Sequence, residues 1–102
     1  MIEQILQMKK LTAAHMVKDR RSARYMAGEI GVEYASFLRW ISTPEAGMNF
    51  ASTWKVYAFL MEHGYLASEG DPLKIVSEKG QRLIGRYGKT EAEQIEEAQL
   101  RG

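Results

Sequence analysis

Read with a period of 3.6, the apolar positions of this chain fall into short runs separated by glycine, proline and small polar residues. Ile2, Ile5 and Leu6 recur at helical spacing over residues 1–8, which predicts a short amphipathic helix. Ala13, Met16 and Val17 continue the pattern behind Thr12, a residue able to cap a second segment, so one bent helix and two short ones fit equally. The periodicity breaks over residues 19–22, where Asp19 or Ser22 can cap the next helix. Met26, Ala27 and Ile30 then share one helix face, and Phe37, Trp40 and Ile41 share another. Gly31 stands where the first of these two helices must stop. The residue past a helix end often takes a left-handed backbone, which glycine reaches without strain. Ala27 is small enough to let the two helices approach, and Val32 fills the gap at the turn.

Pro44 and Gly47 mark residues 43–47 as a loop. The next helix has Asn49 or Ser52 as its cap and Trp54, Tyr57, Ala58, Leu60 and Met61 on a broad apolar face, which Val56 and Phe59 extend. It ends at His63-Gly64, with Gly64 as the C-terminal cap. So many apolar neighbours over residues 56–61 predict burial on two sides, one against the core and one against a partner subunit. After Gly70-Asp71-Pro72 the period changes. Residues 73–77 and 81–87 read as β-leaning runs, a hairpin with Gly80 at its turn and Leu73, Ile75, Leu83 and Ile84 as apolar members. A helix over residues 78–87 is the alternative, weakened by Gly80, Gly85 and Gly88. Thr90-Glu91-Ala92-Glu93 has capping-box spacing, which predicts a last short acidic helix to about residue 100.

A small residue, three more, a glycine, an apolar residue and then an apolar pair in the following helix make the sequence form of a helix-turn-helix. The second helix of such a motif lies in the DNA major groove. Residues 22–42 resemble the DNA-binding motif of phage and plasmid repressors of the lambda repressor/Cro kind. That motif usually has Ala in its fifth place, Gly in its ninth, and apolar residues in the eighth, tenth, fifteenth and eighteenth. Ala27, Gly31, Ile30, Val32, Phe37 and Trp40 stand in those places. Ala23 departs from the Gln often found at the opening place, and Glu33 from the Ser or Thr that often starts the second helix. Glu33 is a poorer cap and sets a negative charge near phosphate.

The resemblance implies a mainly α, lambda-repressor-like bundle of four to five short helices, to which the pattern adds a C-terminal β-hairpin. Residues 1–68 would be the DNA-binding part. Residues 69–102 would add the hairpin and acidic helix, as a wing or a dimer strand of the same single domain. With Phe37, Trp40 and Ile41 inward, Tyr34, Ala35, Ser36, Leu38 and Arg39 are left outward to meet base edges. Arg39 is the best candidate, because its planar guanidinium can bond both acceptors of a guanine edge. Tyr34 can bond a base or a phosphate, Ser36 is adaptable, and Ala35 or Leu38 can touch a thymine methyl. Ser22 as cap, with Arg20, Arg21 and Arg24, offers backbone N–H groups and positive charge to a phosphate. Lys79 and Arg82 would do so from the hairpin. The plainer readings are a half-buried ring for Tyr34, a phosphate contact or salt bridge for Arg39, and a solvated helix surface for the remaining cations.

Composition narrows the classes. A chain of 102 residues is one domain with a modest core. Its 45% hydrophobic and 26% charged content is ordinary for a globular protein. With no cysteine there is neither disulfide nor thiolate chemistry, which suits a reducing cytoplasm. No apolar run approaches the roughly 20 residues of a membrane helix, and no signal peptide is read at the N-terminus. The net charge of +1 says little, but its distribution says more. Lys9, Lys10, Lys18, Arg20, Arg21 and Arg24 stand against Asp19 alone over residues 9–24, and Lys74, Lys79, Arg82, Arg86 and Lys89 against Glu78 over residues 73–89. Two basic segments flanking a reading helix fit a local phosphate-binding face.

Gly88-Lys89-Thr90 has the end of a phosphate-cradling loop, but Leu83 stands where its first glycine is required. His15 and His63 lack the spacing of a helical zinc motif, and Glu93, Glu96 and Glu97 read as a solvated face. No nucleophile, base and oxyanion donor assemble, so neither an enzyme nor a cofactor or metal is expected. The expected function is a sequence-specific double-stranded DNA-binding transcriptional regulator, a phage- or plasmid-type repressor binding a palindromic operator as a homodimer. The competing expectation is a helical protein-interaction module, an antirepressor or adaptor that keeps the shape without reading DNA.

Overall fold

The computed structural model describes residues 2–67 and 76–88. Five helices occupy them: α1 (Ile2–Asp19), α2 (Ala23–Ile30), α3 (Tyr34–Ser42), α4 (Phe50–Glu62) and α5 (Glu78–Tyr87). α1 is the central element, packed on α3, α4 and α5, while α2 packs on α3 and α4. Met8, Leu11 and Ala14 of α1 meet Met26 and Ala27 of α2, Phe37 and Trp40 of α3, and Val56, Phe59 and Leu60 of α4 in one core. Tyr65, Leu66 and Leu83 complete it. None of these helices is long and apolar enough to cross a membrane.

α1 is one helix because Thr12 caps nothing. Its side chain is wholly buried and its hydroxyl donates back to the Met8 carbonyl, 2.7 Å away, one turn earlier. The helix stops where Arg20 takes a left-handed backbone (φ 54°), and the Arg21 N–H closes it on the Met16 carbonyl at 3.0 Å. The expected caps of the later helices form. Ser22 accepts from the Tyr25 N–H at 3.1 Å, and Asn49 accepts from the Ser52 N–H at 2.8 Å.

The hairpin expected over residues 73–77 and 81–87 is corrected: its second strand is part of α5, and residues 73–75 lie outside the described segments. Among the described residues the β-leaning pattern leaves an antiparallel bridge between Leu66 and Val76. Ser77 decides the matter. Its Oγ accepts from the Gly80 N–H at 3.1 Å as a helix cap and donates to the Gly64 carbonyl at 2.6 Å. Gly80, Leu83, Ile84 and Tyr87 then fall on one helical face toward α1 rather than alternating across a strand. Gly80 is not a turn glycine. A Cβ there would run into the Tyr65 carbonyl and come within 2.8 Å of Val76 Cγ1. The acidic helix expected from residue 90 lies outside the described residues.

One polar cluster is built into the core. His15, 3% exposed, places Nδ1 2.7 Å from the Tyr65 hydroxyl and Nε2 3.2 Å from Asp19 Oδ2. A carboxylate only accepts, so Nε2 carries the proton and Nδ1 accepts from the tyrosine. Burial holds the Tyr65 phenol above its ordinary range, which keeps that donor protonated. The His63 ring stands 4.8 Å from His15, centroid to centroid. Burial first, then the neighbouring His63 and Lys18, lower the His15 pKa, and Asp19 and Glu29 oppose them.

The unfolded chain therefore takes a proton on His15 near pH 6.5, before the folded one does. This stability is present above that pH and is lost as the pH falls from it through the lower folded value. Urea midpoints at pH 7.5 and pH 5 are expected to fall less for His15→Gln than for the unaltered chain. Equal falls would show that His15 is not the group responsible.

Candidate nucleic-acid interface

The pair α2 and α3 is set by three residues. Ala27 is 1% exposed at the crossing. Gly31 takes φ 89° and ψ 36°, the left-handed conformation expected of it, with its N–H 2.9 Å from the Ala27 carbonyl. The Val32 N–H reaches the same carbonyl, also at 2.9 Å. The turn is held from outside as well, because Lys55 of α4 donates to the Gly31 carbonyl at 3.0 Å.

α3 buries Phe37 and Trp40 completely and Ile41 in part. Its other side carries Ala35, Leu38 and Arg39, all exposed. Ser36 is half-buried, with its hydroxyl 3.4 Å from Glu33 Oε1. Glu33 is the N-terminal boundary residue of α3 and makes no side-chain cap, as its chemistry leads one to expect. Tyr34 is half-buried beneath Arg24, whose guanidinium carbon lies 4.4 Å from the ring centroid. Arg21 sits over Tyr25 in the same way, at 4.3 Å.

The first basic group thus stands beside α3. Arg20, Arg21 and Arg24 are exposed around the Ser22 cap, at the positive end of α2. Among the described residues no carboxylate lies within salt-bridge distance of these arginines or of Arg39. The second group is elsewhere. Lys79 and Arg82 belong to α5, which packs on α1. Lys79 is engaged there, donating to the His63 carbonyl at 2.7 Å and lying 5.3 Å from the Tyr65 ring centroid. The wing expected of these two residues has no hairpin to carry it.

Lys9 is a feature that sequence reasoning counted only as one of six cations. It is 7% exposed, and its ammonium donates to the carbonyls of Thr43, Pro44 and Ala46 at 2.8, 2.8 and 2.6 Å. It also lies 5.5 Å from the centroid of the Trp40 ring. Burial lowers its pKa, partly offset by the Glu45 carboxylate, while three carbonyls accept hydrogen bonds from its three N–H groups. The loop leaving α3 is thereby fastened to α1. No sequence signal pairs a lysine with a loop some thirty-five residues away.

Among the described residues no group of three or more His, Asp or Glu side chains is placed to hold a metal ion. Gly88 follows a helix rather than the strand that a phosphate-cradling loop requires, and Lys89 and Thr90 lie outside the described residues. No protein-family model, curated protein or solved structure matches the chain.

Proposed function

We propose that this chain is a sequence-specific double-stranded DNA-binding transcriptional regulator, a phage- or plasmid-type repressor with a lambda-repressor-like arrangement of its helices. The observation that carries the reading is the outward side of α3. Ala35, Leu38 and Arg39 are exposed, and Arg20, Arg21 and Arg24 are free of carboxylate partners among the described residues beside it. In this reading α3 enters the major groove, Arg39 reads a guanine edge, and Leu38 or Ala35 touches a thymine methyl. Tyr34 and Ser36 contribute at the groove's edge. The α2 N-terminus with its arginines takes a phosphate, which fixes register without specifying sequence. One short helix reads only a few base pairs, so two copies on a palindromic operator supply affinity. Repression follows from occupying a promoter.

The test is a selection of bound sequences from a random duplex pool, followed by titration at two salt concentrations. Binding is expected to weaken steeply with salt, as counterion release requires. Arg39→Ala is expected to lower affinity for the selected site about tenfold or more, from the roughly 1–3 kcal/mol of a bidentate base contact. Affinity for random DNA should change far less. No enrichment and no salt-dependent binding would instead favour an antirepressor or adaptor.

A further inference from the structure

α4 carries two apolar stripes: the core takes the whole of one and the inner edge of the other, through Tyr57 and Met61. Val56, Phe59 and Leu60 face inward. Phe50, Trp54, Tyr57 and Met61 form the second stripe at spacings of four, three and four, roughly 130° round the helix from the first. That 4-3-4 spacing is the seam by which one helix packs along another. Phe50 is 82% exposed and Trp54 58% exposed, while Tyr57 and Met61 are half-buried. The rings are already ordered: Phe50 stacks on Trp54 at 6.4 Å and Trp54 on Tyr57 at 5.3 Å, with interplanar angles of 20° and 23°. Ala51 and Ala58 edge the stripe, and no charged residue interrupts it. Solvated helix faces are ordinarily studded with Lys and Glu, and a contiguous apolar patch on a small domain marks a contact surface.

We propose that this stripe is the homodimer interface, with α4 of one protomer running antiparallel to α4 of a second copy about a two-fold axis. Three features select a second copy as occupant. The stripe is self-complementary when reversed, because the large rings lie at its N-terminal half and the small Ala58 and flexible Met61 at its C-terminal half. Trp54 of one copy then meets Tyr57 and Ala58 of the other, and Phe50 meets Met61. The stripe also offers no charge by which a basic or acidic partner would be chosen. Finally, the area is that of a weak, reversible dimer. From the 150–250 Å² that such side chains carry, Phe50 and Trp54 together expose on the order of 300 Å². Two copies would bury about twice that, roughly a third to a half of the 1,200–2,000 Å² of a specific interface. Tyr57, Met61 and Ala58 are half-buried already, so with Ala51 they add less than the two rings do, which leaves a contact of the small, transient class and matches micromolar association.

The inference rests on the preceding reading only for the number of copies, giving that homodimer its surface. Its test is done without DNA, so its failure leaves the role of α3 standing. Sedimentation equilibrium of the full chain is expected to show a monomer–dimer equilibrium with a micromolar dissociation constant. Trp54→Asp is expected to weaken it at least a hundredfold and Phe50→Asp about tenfold, each with unchanged helical circular dichroism, because both positions are exposed. Arg39→Asp, on the outward side of α3, should leave it unchanged. A chain monomeric up to millimolar concentration overturns the proposal, whether residues 89–102 or a different protein covers the stripe. So does a dimer that Trp54→Asp leaves intact, since its interface then lies elsewhere.

Discussion

Replacing Lys9 by methionine is expected to lower the unfolding free energy by about 3 kcal/mol, from the roughly 1.5–3 kcal/mol of each hydrogen bond to a charged group, less the relief of desolvating an ammonium. Methionine keeps the apolar stem against Trp40, so the loss measures the ammonium and not the packing. The carbonyls of Thr43, Pro44 and Ala46 lose their shared donor, and the loop leaving α3 is released from α1. Urea denaturation reads the stability, and hydrogen exchange over residues 43–47 reads the release. A loss below about 1 kcal/mol would mean that water replaces the ammonium at almost no cost. Such a result would remove Lys9 as the part that fixes the end of α3.

The second large effect runs against helix propensity. Alanine for glycine inside a helix ordinarily stabilises by about 0.8–1 kcal/mol. At Gly85 and Gly28, where an added Cβ meets nothing within 4 Å, that gain is expected. At Gly80 the same substitution is expected to cost about 2–3 kcal/mol, as in other overpacked cores. The Tyr65 carbonyl in its way is backbone and cannot swing aside, and Val76 Cγ1 and Leu11 Cδ2 crowd the same point at 2.8 and 3.1 Å. Thermal melts of the three variants decide it. A stabilised Gly80→Ala would mean that α5 is free to move off α1.

These glycines show why one part of the chain could be read directly and another could not. Gly31, Ala27, Phe37 and Trp40 declare the α2–α3 pair because everything that fixes it lies within a few residues along the chain. A left-handed cap follows a small crossing residue, and an apolar pair follows the turn at local spacing. The caps Ser22 and Asn49 are local in the same sense. Gly80 depends on a carbonyl fifteen residues earlier, and so a helix glycine passed for a turn glycine. Lys9 depends on a loop more distant still. Phe50 and Trp54 mislead in another way, since hydrophobicity says that a ring seeks cover without saying from which molecule. The outward residues of α3 were named from the same periodicity that located its buried ones. Arg24 over Tyr34 was not, because that contact spans two elements.

The two tryptophans occupy opposite surroundings, Trp40 1% exposed in the core and Trp54 58% exposed on α4. Indole emission shifts to longer wavelength where the ring meets water, and a soluble quencher reaches only such a ring. Emission of this chain recorded with and without such a quencher therefore divides into a blue, protected part from Trp40 and a red, quenchable part from Trp54. The folded protein thus brings its own optical labels to the core and to the outer side of α4, with no dye attached.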